Sequence, residues 1–543
     1  MQHSSNLTVQ EYLSRREAFI NDERSLRREH ARLLTLSDAE TQADRVVRQI
    51  RAKEAQMIWS ATNDGMQHMF PGMEFLMARD IIVKTKLFDI LTKMPKGALL
   101  HGHLDAMVNT RTLLRLALEQ PAIHIRIPNA LTSSSIKTTL PQFGALPRGQ
   151  WASSPSLTHA AYKSGEWVQI QKARETFDAS LGGPEGFDNW VIGCLTINPA
   201  EAYVTHKTTD KIWEKFASIF RGLILYEPIW YPYIKEFFRT SVDDGISFIE
   251  ARINFGYKCV FLLFSHAWPC QTMCNAEGHN VLPAREWVRA FGRAVEDVKR
   301  EMKDQGREDA FLGAKIIYTT IRMYTPEELE WYLEECLTLK QEFPDLIAGF
   351  DLVGHEDSLH PLIYYLPQLL RFQERQKELG IDVPFIFHAG ETLGDGTPAD
   401  VNLYDAILLG TKRIGHGFSL AKHPRLMQIC KERGILVEMC PISNEILRLT
   451  SSMPTHPLPI IVNHGVPVAL CSDDPAIFGN MGLSFDYFQV LVSSEITGLT
   501  TLGQIARDSL EHSTLEGEAK AHALAVWEKR WQQFCKEVAA LEP

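Results

Sequence analysis

The stretch Phe387-His388-Ala389-Gly390-Glu391 decides how the chain is read. The apolar run Val383 to Phe387 leads into it and ends at polar residues and a glycine. A short apolar run of this kind is typical of a buried strand that opens into a loop. In a barrel of parallel strands the chemistry lies at this end of the strand. The stretch therefore predicts a strand that delivers a histidine and a glutamate to a functional site.

Three other stretches have the same character, because each follows or ends an apolar run. They are His101-Gly102-His103-Leu104-Asp105, Arg413-Ile414-Gly415-His416-Gly417 and Ser472-Asp473-Asp474-Pro475. Residues at positions i and i+2 of a strand point to the same side, so the first stretch can aim two imidazoles at one ion. We expect all four stretches to form one site.

Apolar strand patterns alternate with helical patterns along most of the chain. The predicted strands are Gly97–Asp105, Ile246–Asn254, Leu312–Ile321, Leu346–Gly354, Pro384–Glu391, Thr411–Gly417, Gly434–Pro441 and Val466–Asp474. Eight strands with helices between them predict an α/β fold, the (β/α)8 or TIM barrel. We expect this catalytic domain to span 94–543.

Two regions lie outside the barrel pattern. Residues 1–93 form a charged, helical extension, in which Ser37-Asp38-Ala39-Glu40 predicts a capping box. Residues at about 125–185 are irregular and rich in Ser, Pro and Gly, and they indicate an insertion after the first strand. A further helical stretch is expected from Ile212 to about Phe238.

Composition limits the classes of function. The chain of 543 residues is 45% hydrophobic and carries a net charge of -11, which argues against nucleic acid or an anionic membrane as partner. The nine cysteines include no CxxC pair, and Cys270 and Cys274 are expected to be free thiols. The start has no basic-then-apolar signal pattern, so we expect a cytoplasmic enzyme, with unconventional secretion left open.

The polar residues at the strand ends form a coherent chemical set. Three imidazole nitrogens and a carboxylate suit zinc and leave a position for water. The candidate zinc ligands are His101, His103, His388 and Asp473. His416 could then take the water proton, Glu391 could protonate the substrate, and Asp474 could hold the water or a substrate nitrogen. This combination predicts metal-assisted hydrolysis, but the spacing does not name the substrate.

The chain resembles the adenosine deaminases, and within them the adenosine deaminase-related growth factor (adenosine deaminase 2-like) branch. The matching words, in family order, are Met94-Pro95-Lys96-Gly97-Ala98-Leu99-Leu100-His101, Gly349-Phe350-Asp351-Leu352-Val353-Gly354-His355-Glu356-Asp357, His388-Ala389-Gly390-Glu391-Thr392, Arg413-Ile414-Gly415-His416-Gly417-Phe418, Cys440-Pro441-Ile442-Ser443-Asn444 and Ser472-Asp473-Asp474-Pro475. The resemblance implies a barrel of the metal-dependent hydrolase type. It also implies one Zn2+ per chain and deamination of adenosine and 2'-deoxyadenosine to inosine and deoxyinosine.

The same resemblance implies a role for each matching residue. The four candidate ligands look like the zinc ligands of the family, Glu391 like the donor to the purine ring nitrogen beside the attacked carbon, and His416 like the residue that orients and deprotonates the water. Substrate-binding roles are implied for Asp105 and Trp213 near the ribose, for the backbone of Gly354 at another ring nitrogen, and for Asp474 at the purine.

The growth-factor branch dimerises through a helical N-terminal extension, so the resemblance also implies a homodimer. Two features depart from that branch: no cysteine lies between residues 1 and 193, and Leu104 separates His103 from Asp105.

Two alternatives remain at this point. The first is a deaminase of another amino-purine, or a related metal-dependent amidohydrolase. Many amidohydrolases bridge two metals with a lysine at a strand end, but Lys315 lies in the middle of a predicted strand, which argues against such a site. The second is a catalytically silent, growth-factor-like binding protein. The presence of every ligand and of both proton-transfer residues argues against this second alternative.

Overall fold

The computed structural model describes residues 8–60, 68–151, 154, 156–205, 208, 212–213, 221–255, 273–279 and 281–543. The strands are β1 (Gly97–Leu99), β2 (Ile123–Arg126), β3 (Gln142–Ala145), β4 (Val168–Gln169), β5 (Ile246–Asn254), β6 (Gly313–Ile321), β7 (Ile347–Val353), β8 (Ile386–Ala389), β9 (Arg413–His416), β10 (Leu436–Met439) and β11 (Val468–Leu470). Cys270 lies outside the described residues, whereas Cys274 lies within them and is partly buried.

Eight of these strands close into a parallel barrel. One sheet has the order β1-β5-β6-β7 and a second has the order β8-β9-β10-β11, and every pairing is parallel. Parallel bridges join the two sheets at Phe350 with Phe385 and at Gly102 with Asp473. The predicted (β/α)8 fold is therefore confirmed. The second bridge also brings the first and last polar stretches side by side.

Helices alternate with the barrel strands and cover the outside of the barrel. After residue 93 they span Thr110–Leu118, Ile170–Glu175, Gly183–Leu195, Arg221–Ile224, Glu227–Asp243, Ala284–Asp304, Pro326–Glu342, Leu366–Leu379, Pro398–Leu408, Pro424–Arg433, Pro441–Ile446, Leu458–Asn463, Pro475–Phe478, Ser484–Val492, Leu499–Glu511 and Gly517–Ala539. None of the described helices has the length and apolar character needed to cross a lipid bilayer.

The N-terminal residues form the helices Val9–Arg24, His30–Leu33, Asp38–Met57, Phe75–Ile82 and Lys86–Thr92. The capping box predicted at Ser37 and Glu40 is confirmed, with both reciprocal hydrogen bonds present. Glu40 also accepts hydrogen bonds from Trp531 Nε1 at 2.8 Å and from Arg32, so this helix is tied to the C-terminal helix. The helix Val9–Arg24, by contrast, buries none of its side chains.

The region of the expected insertion contains a three-stranded antiparallel sheet with the order β3-β2-β4. Arg126 lies over the ring of Trp167, 4.4 Å from its centroid, and Trp190 is buried. This small sheet is not part of the barrel. Because it is regular secondary structure, the region is less irregular than its sequence indicates. Residues 214–220 of the helical stretch expected from Ile212 lie outside the described part. The residues that follow form two helices, Arg221–Ile224 and Glu227–Asp243.

Candidate active site

The four candidate ligands meet at the carboxyl end of the barrel. One ligand atom from each of His101, His103, His388 and Asp473 lies within 4.8 Å of all the others. Asp473 Oδ1 is 3.4 Å from His101 Nε2 and 3.3 Å from His103 Nε2. Close packing of the backbone makes this possible: a Cβ added at Gly415 would lie only 2.9 Å from the ring of His101.

Two of these atoms lack the hydrogen bonds that burial demands. His101 Nε2 and Asp473 Oδ1 are buried and have no hydrogen-bond partner among the described residues. A buried polar atom left in this way is costly unless another group satisfies it. A cation bound by nitrogen and carboxylate donors would satisfy both atoms at once. The residues therefore fit a divalent metal, and the donor set is one that zinc accepts.

Two buried carboxylates behind the ligands hold the imidazoles in one orientation. His101 Nδ1 donates to Glu438 Oε2 at 2.9 Å, and His388 Nδ1 donates to Asp351 Oδ2 at 2.6 Å. Each bond leaves Nε2 free to act as a ligand. Burial lowers the pKa of His388 to about 3, so its imidazole is neutral and able to bind a metal at neutral pH.

The same carboxylates belong to a fully buried ionic network inside the barrel. Arg252 lies between them, at 2.8 Å from Asp351 and 2.7 Å from Glu438. Arg413 bridges Glu438 and Glu250, at 2.5 Å and 2.6 Å. All five side chains are inaccessible to solvent, so their charges interact with one another rather than with water.

The sequence analysis missed this network as a set of functional residues. A weak signal existed, because Asp351 and Glu438 each stand as a single carboxylate within an otherwise apolar strand. A charge in a buried strand needs a partner. The sequence does not reveal that the partners are metal-binding histidines on other strands.

His416 ends β9 beside the ligands, with a backbone φ of 58° in the left-handed region. Its Nδ1 is hydrogen-bonded to the side-chain amide of Asn444 at 3.3 Å and lies 3.4 Å from Glu391 Oε1. Its Nε2 is 3.9 Å from Asp473 Oδ2. Burial holds the pKa of His416 well below its ordinary value of 6.5. A neutral imidazole is therefore available here to accept a proton.

Glu391 is also buried, and its Oε1 has no hydrogen-bond partner among the described residues. Burial first, and then the charge of Asp473, raise the pKa of Glu391 well above its ordinary value of 4.5. Glu356 fixes the loop, because it accepts hydrogen bonds from the backbone N–H groups of Gly390 at 3.3 Å and Glu391 at 3.0 Å. Glu391 is thus placed as a protonated carboxyl group that can act as an acid.

The predicted substrate-binding residues occupy the same end of the barrel. Asp474 is buried, and burial together with the charges of Asp473 and Asp105 raises its pKa. Asp105 lies half-buried in the short turn Leu104–Ala106, which Tyr233 holds by donating to Leu104 O at 2.8 Å. The negative charge of Asp105 contributes to the raised pKa of Asp474, so these two carboxyl groups interact electrostatically.

Gly354 and Trp213 lie near the end of β7. Gly354 has a φ of 107°, and a Cβ there would come within 2.9 Å of Leu359 Cδ1, so both conformation and space favour glycine. The indole of Trp213 stacks on the neighbouring His355, with ring centroids 5.3 Å apart and planes at 16°. The structure thus brings Trp213 next to the residue that follows Gly354.

Known proteins with similar sequences are adenosine deaminases. The family model described as Adenosine deaminase matches residues 236–527. Adenosine deaminase 2 of Sus scrofa is 32% identical over 477 residues, covering 86% of this chain and 84% of that protein. The human protein of the same name is 31% identical with the same coverage, and an adenosine deaminase of Phlebotomus duboscqi is 30% identical over 86% of this chain and 82% of that protein.

Solved structures share the fold at lower identity. An adenine deaminase from Arthrobacter aurescens superposes with a TM-score of 0.50 at 17% identity, over 80% of this chain and 98% of that one. Arabidopsis ADAL complexed with GMP gives a TM-score of 0.53 at 15% identity, over 81% and 98% of the two chains.

Proposed function

The chain belongs to the adenosine deaminase family and is a hydrolytic deaminase, and from that premise we propose that it deaminates adenosine and 2'-deoxyadenosine. Water and the nucleoside give inosine or deoxyinosine and ammonia. The observation that carries the proposal is the meeting of three histidines and Asp473 within 4.8 Å, with His416 and Glu391 beside them.

We propose that His101, His103, His388 and Asp473 hold one Zn2+ per chain. When bound, zinc supplies a Lewis acid that makes water nucleophilic near neutral pH. Glu438 and Asp351 keep the Nε2 atoms of His101 and His388 directed at the ion.

The proton transfers fall to two residues of the chain. His416, neutral because it is buried, accepts a proton from the attacking water. Glu391, protonated because it is buried beside carboxylates, donates to the purine ring nitrogen next to the attacked carbon. This donation draws electrons from that carbon, which favours attack. The amino group then takes the proton held by His416 and leaves as ammonia, and the proton of the added hydroxyl returns to Glu391 as the carbonyl forms.

The remaining predicted residues are assigned to substrate binding. Asp474 would contact the purine, Asp105 and Trp213 the ribose side, and the backbone of Gly354 a second ring nitrogen. The half-buried Asp105 and the stacked ring of Trp213 are consistent with a partly open nucleoside end of the site.

The direct test is loss of the adenosine absorbance on addition of purified protein, with zinc content measured on the same sample. Adenosine, deoxyadenosine, adenine and AMP are compared at equal concentration, with the Glu391→Gln variant as control. We expect about one zinc per chain and fast turnover of the two nucleosides. Zinc-bound protein that deaminates adenine or AMP but neither nucleoside would favour the alternative of another amino-purine.

We further propose that the protein is a homodimer. The helix Val9–Arg24 has a capping box yet buries none of its side chains, and it exposes Val9, Tyr12, Leu13 and Phe19. A helix of this kind gains most of its stability when its apolar side chains pack against another surface. In the proposed dimer, a second copy of the chain supplies that surface. Sedimentation at micromolar concentration should give a dimer for the native chain and a monomer for Phe19→Glu. A native chain that sediments only as a monomer would overturn this proposal.

A further inference from the structure

The short helix Pro441–Ile446 follows β10 and forms one wall of the site. Ser443 Oγ donates to Asp473 Oδ2 at 2.7 Å, and the side-chain amide of Asn444 is hydrogen-bonded to His416 Nδ1 at 3.3 Å. Ser443 and Asn444 are completely buried, so both bonds form without competition from water. The position of this helix therefore sets the orientation of one candidate ligand and of the proposed base.

The next residue, Glu445, connects this helix to the N-terminal extension. Glu445 is 3% exposed, and its Oε2 accepts a hydrogen bond from the backbone N–H of Phe75 at 2.6 Å. Phe75 is the first residue of the helix Phe75–Ile82, whose own flanking residue Glu74 makes no side-chain cap. Glu445 thus satisfies an N-terminal N–H of a helix in another part of the chain.

Neighbouring contacts make the same connection. The Tyr203 hydroxyl accepts a hydrogen bond from the backbone N–H of Leu76, the second residue of the same helix, at 3.1 Å. The backbone N–H of Met453 donates to Gly72 O at 2.9 Å. The start of the helix Phe75–Ile82 is therefore held against the segment that carries Ser443 and Asn444.

Building on the proposed function, we propose that Glu445 is a positioning residue that couples docking of the N-terminal extension to the alignment of His416 and Asp473. It touches neither group itself. Its hydrogen bond to Phe75 fixes the helix Pro441–Ile446 against the extension. Ser443 and Asn444, on the same helix, then fix the positions of Asp473 and His416. The extension is then part of the catalytic apparatus as well as a surface for assembly.

The variant Glu445→Met tests this, because methionine keeps most of the side-chain volume but accepts no hydrogen bond. A small misplacement of reacting groups can lower turnover by ~10²-fold. We expect kcat to fall by about 10- to 100-fold, with KM changed less than about threefold because the substrate contacts remain. Glu445→Gln should restore most of kcat, since its amide oxygen can accept from Phe75.

Glu54 offers a matched control. Its buried carboxylate accepts from the backbone N–H groups of Lys86 at 2.7 Å and Leu87 at 3.2 Å, at the start of the helix Lys86–Thr92. Glu54→Met therefore removes the same kind of cap without touching the wall of the site. We expect it to lower thermal stability and leave kcat within twofold of the native value.

A second readout does not depend on the substrate. The visible absorption bands of the cobalt(II)-loaded protein report the geometry around Asp473. We expect these bands to shift in Glu445→Met and to stay unchanged in Glu445→Gln and Glu54→Met. Native bands and native kcat in folded Glu445→Met would overturn the inference, as would equal effects in Glu54→Met. If the native protein leaves adenosine unchanged, the proposed function fails, and the cobalt spectra still decide the role of Glu445.

Discussion

Glu438 offers a sharp test of how the metal ligands are held. Three donors converge on its two oxygens: His101 Nδ1 at 2.9 Å and Arg252 at 2.7 Å on Oε2, and Arg413 at 2.5 Å on Oε1. In Glu438→Gln the amide has one oxygen and one NH2 group. At least one donor must therefore face a second donor, whichever way the amide is turned.

The size of the effect follows from the two possible orientations. If the NH2 group faces His101, the imidazole must accept at Nδ1, and its proton moves to the Nε2 that should bind the metal. If the NH2 group faces Arg413, that guanidinium keeps Glu250 but loses its bond to residue 438. Loss of the carboxylate that orients a metal-binding histidine typically weakens metal binding by ~10–100-fold, or about 1.4–2.8 kcal/mol. Breaking a buried ion pair also lowers the free energy of unfolding by ~3–5 kcal/mol.

Zinc affinity is measured by equilibrium competition with a chelator, and the stability of the metal-free protein by chemical denaturation. Glu335→Gln is the control, since Glu335 is a largely buried carboxyl group that accepts from Tyr318 at 2.6 Å, within the helix Pro326–Glu342. We expect it to leave zinc affinity unchanged. A folded Glu438→Gln protein that keeps both its zinc affinity within twofold of native and its native free energy of unfolding would refute the reasoning, because either orientation of the amide leaves one donor without its acceptor.

Three further predictions follow from single residues. Glu391→Gln should keep zinc bound while kcat falls by ~10²–10⁴-fold; full activity in a steady-state assay would contradict its role as acid. His101→Ala should lose zinc, measured by elemental analysis, and one retained zinc per chain would contradict its role as ligand. Burial raises the pKa of Glu335 to about 7, so the unfolded chain releases this proton first and stability should fall between about pH 4.5 and 7. Urea denaturation at pH 5 and 8 should show that Glu335→Gln reduces this fall, by at most about 3 kcal/mol; an equal fall in both proteins would contradict it.

Local sequence patterns are sufficient to predict the barrel and to place the candidate ligands at strand ends. A strand alternates its side chains and ends at a polar loop, so each apolar run marks which residue lies at the rim. His101, His388 and Asp473 each follow such a run. Their meeting then follows from closure of the barrel, because the bridge between Gly102 and Asp473 joins the first strand to the last.

The carboxylates behind the ligands could not be found in the same way. Glu438 lies 337 positions from His101, and Asp351 lies 99 positions from Arg252. The pairing of side chains inside a barrel depends on strand tilt and register, which a single sequence does not report. The docking of Phe75 on Glu445, 370 positions apart, is hidden for the same reason.

The buried charges themselves favour a divalent cation. In the network, the two guanidiniums of Arg252 and Arg413 face three carboxylates, and Asp473 adds a fourth close by. The neighbouring carboxyls of Glu391 and Asp474 have raised pKa values and add no charge when protonated. Two negative charges are then left uncompensated in a medium of low dielectric constant, where they are costly. A doubly charged ion bound among the histidines would cancel both, so the buried charges support the proposal of a divalent metal at this site.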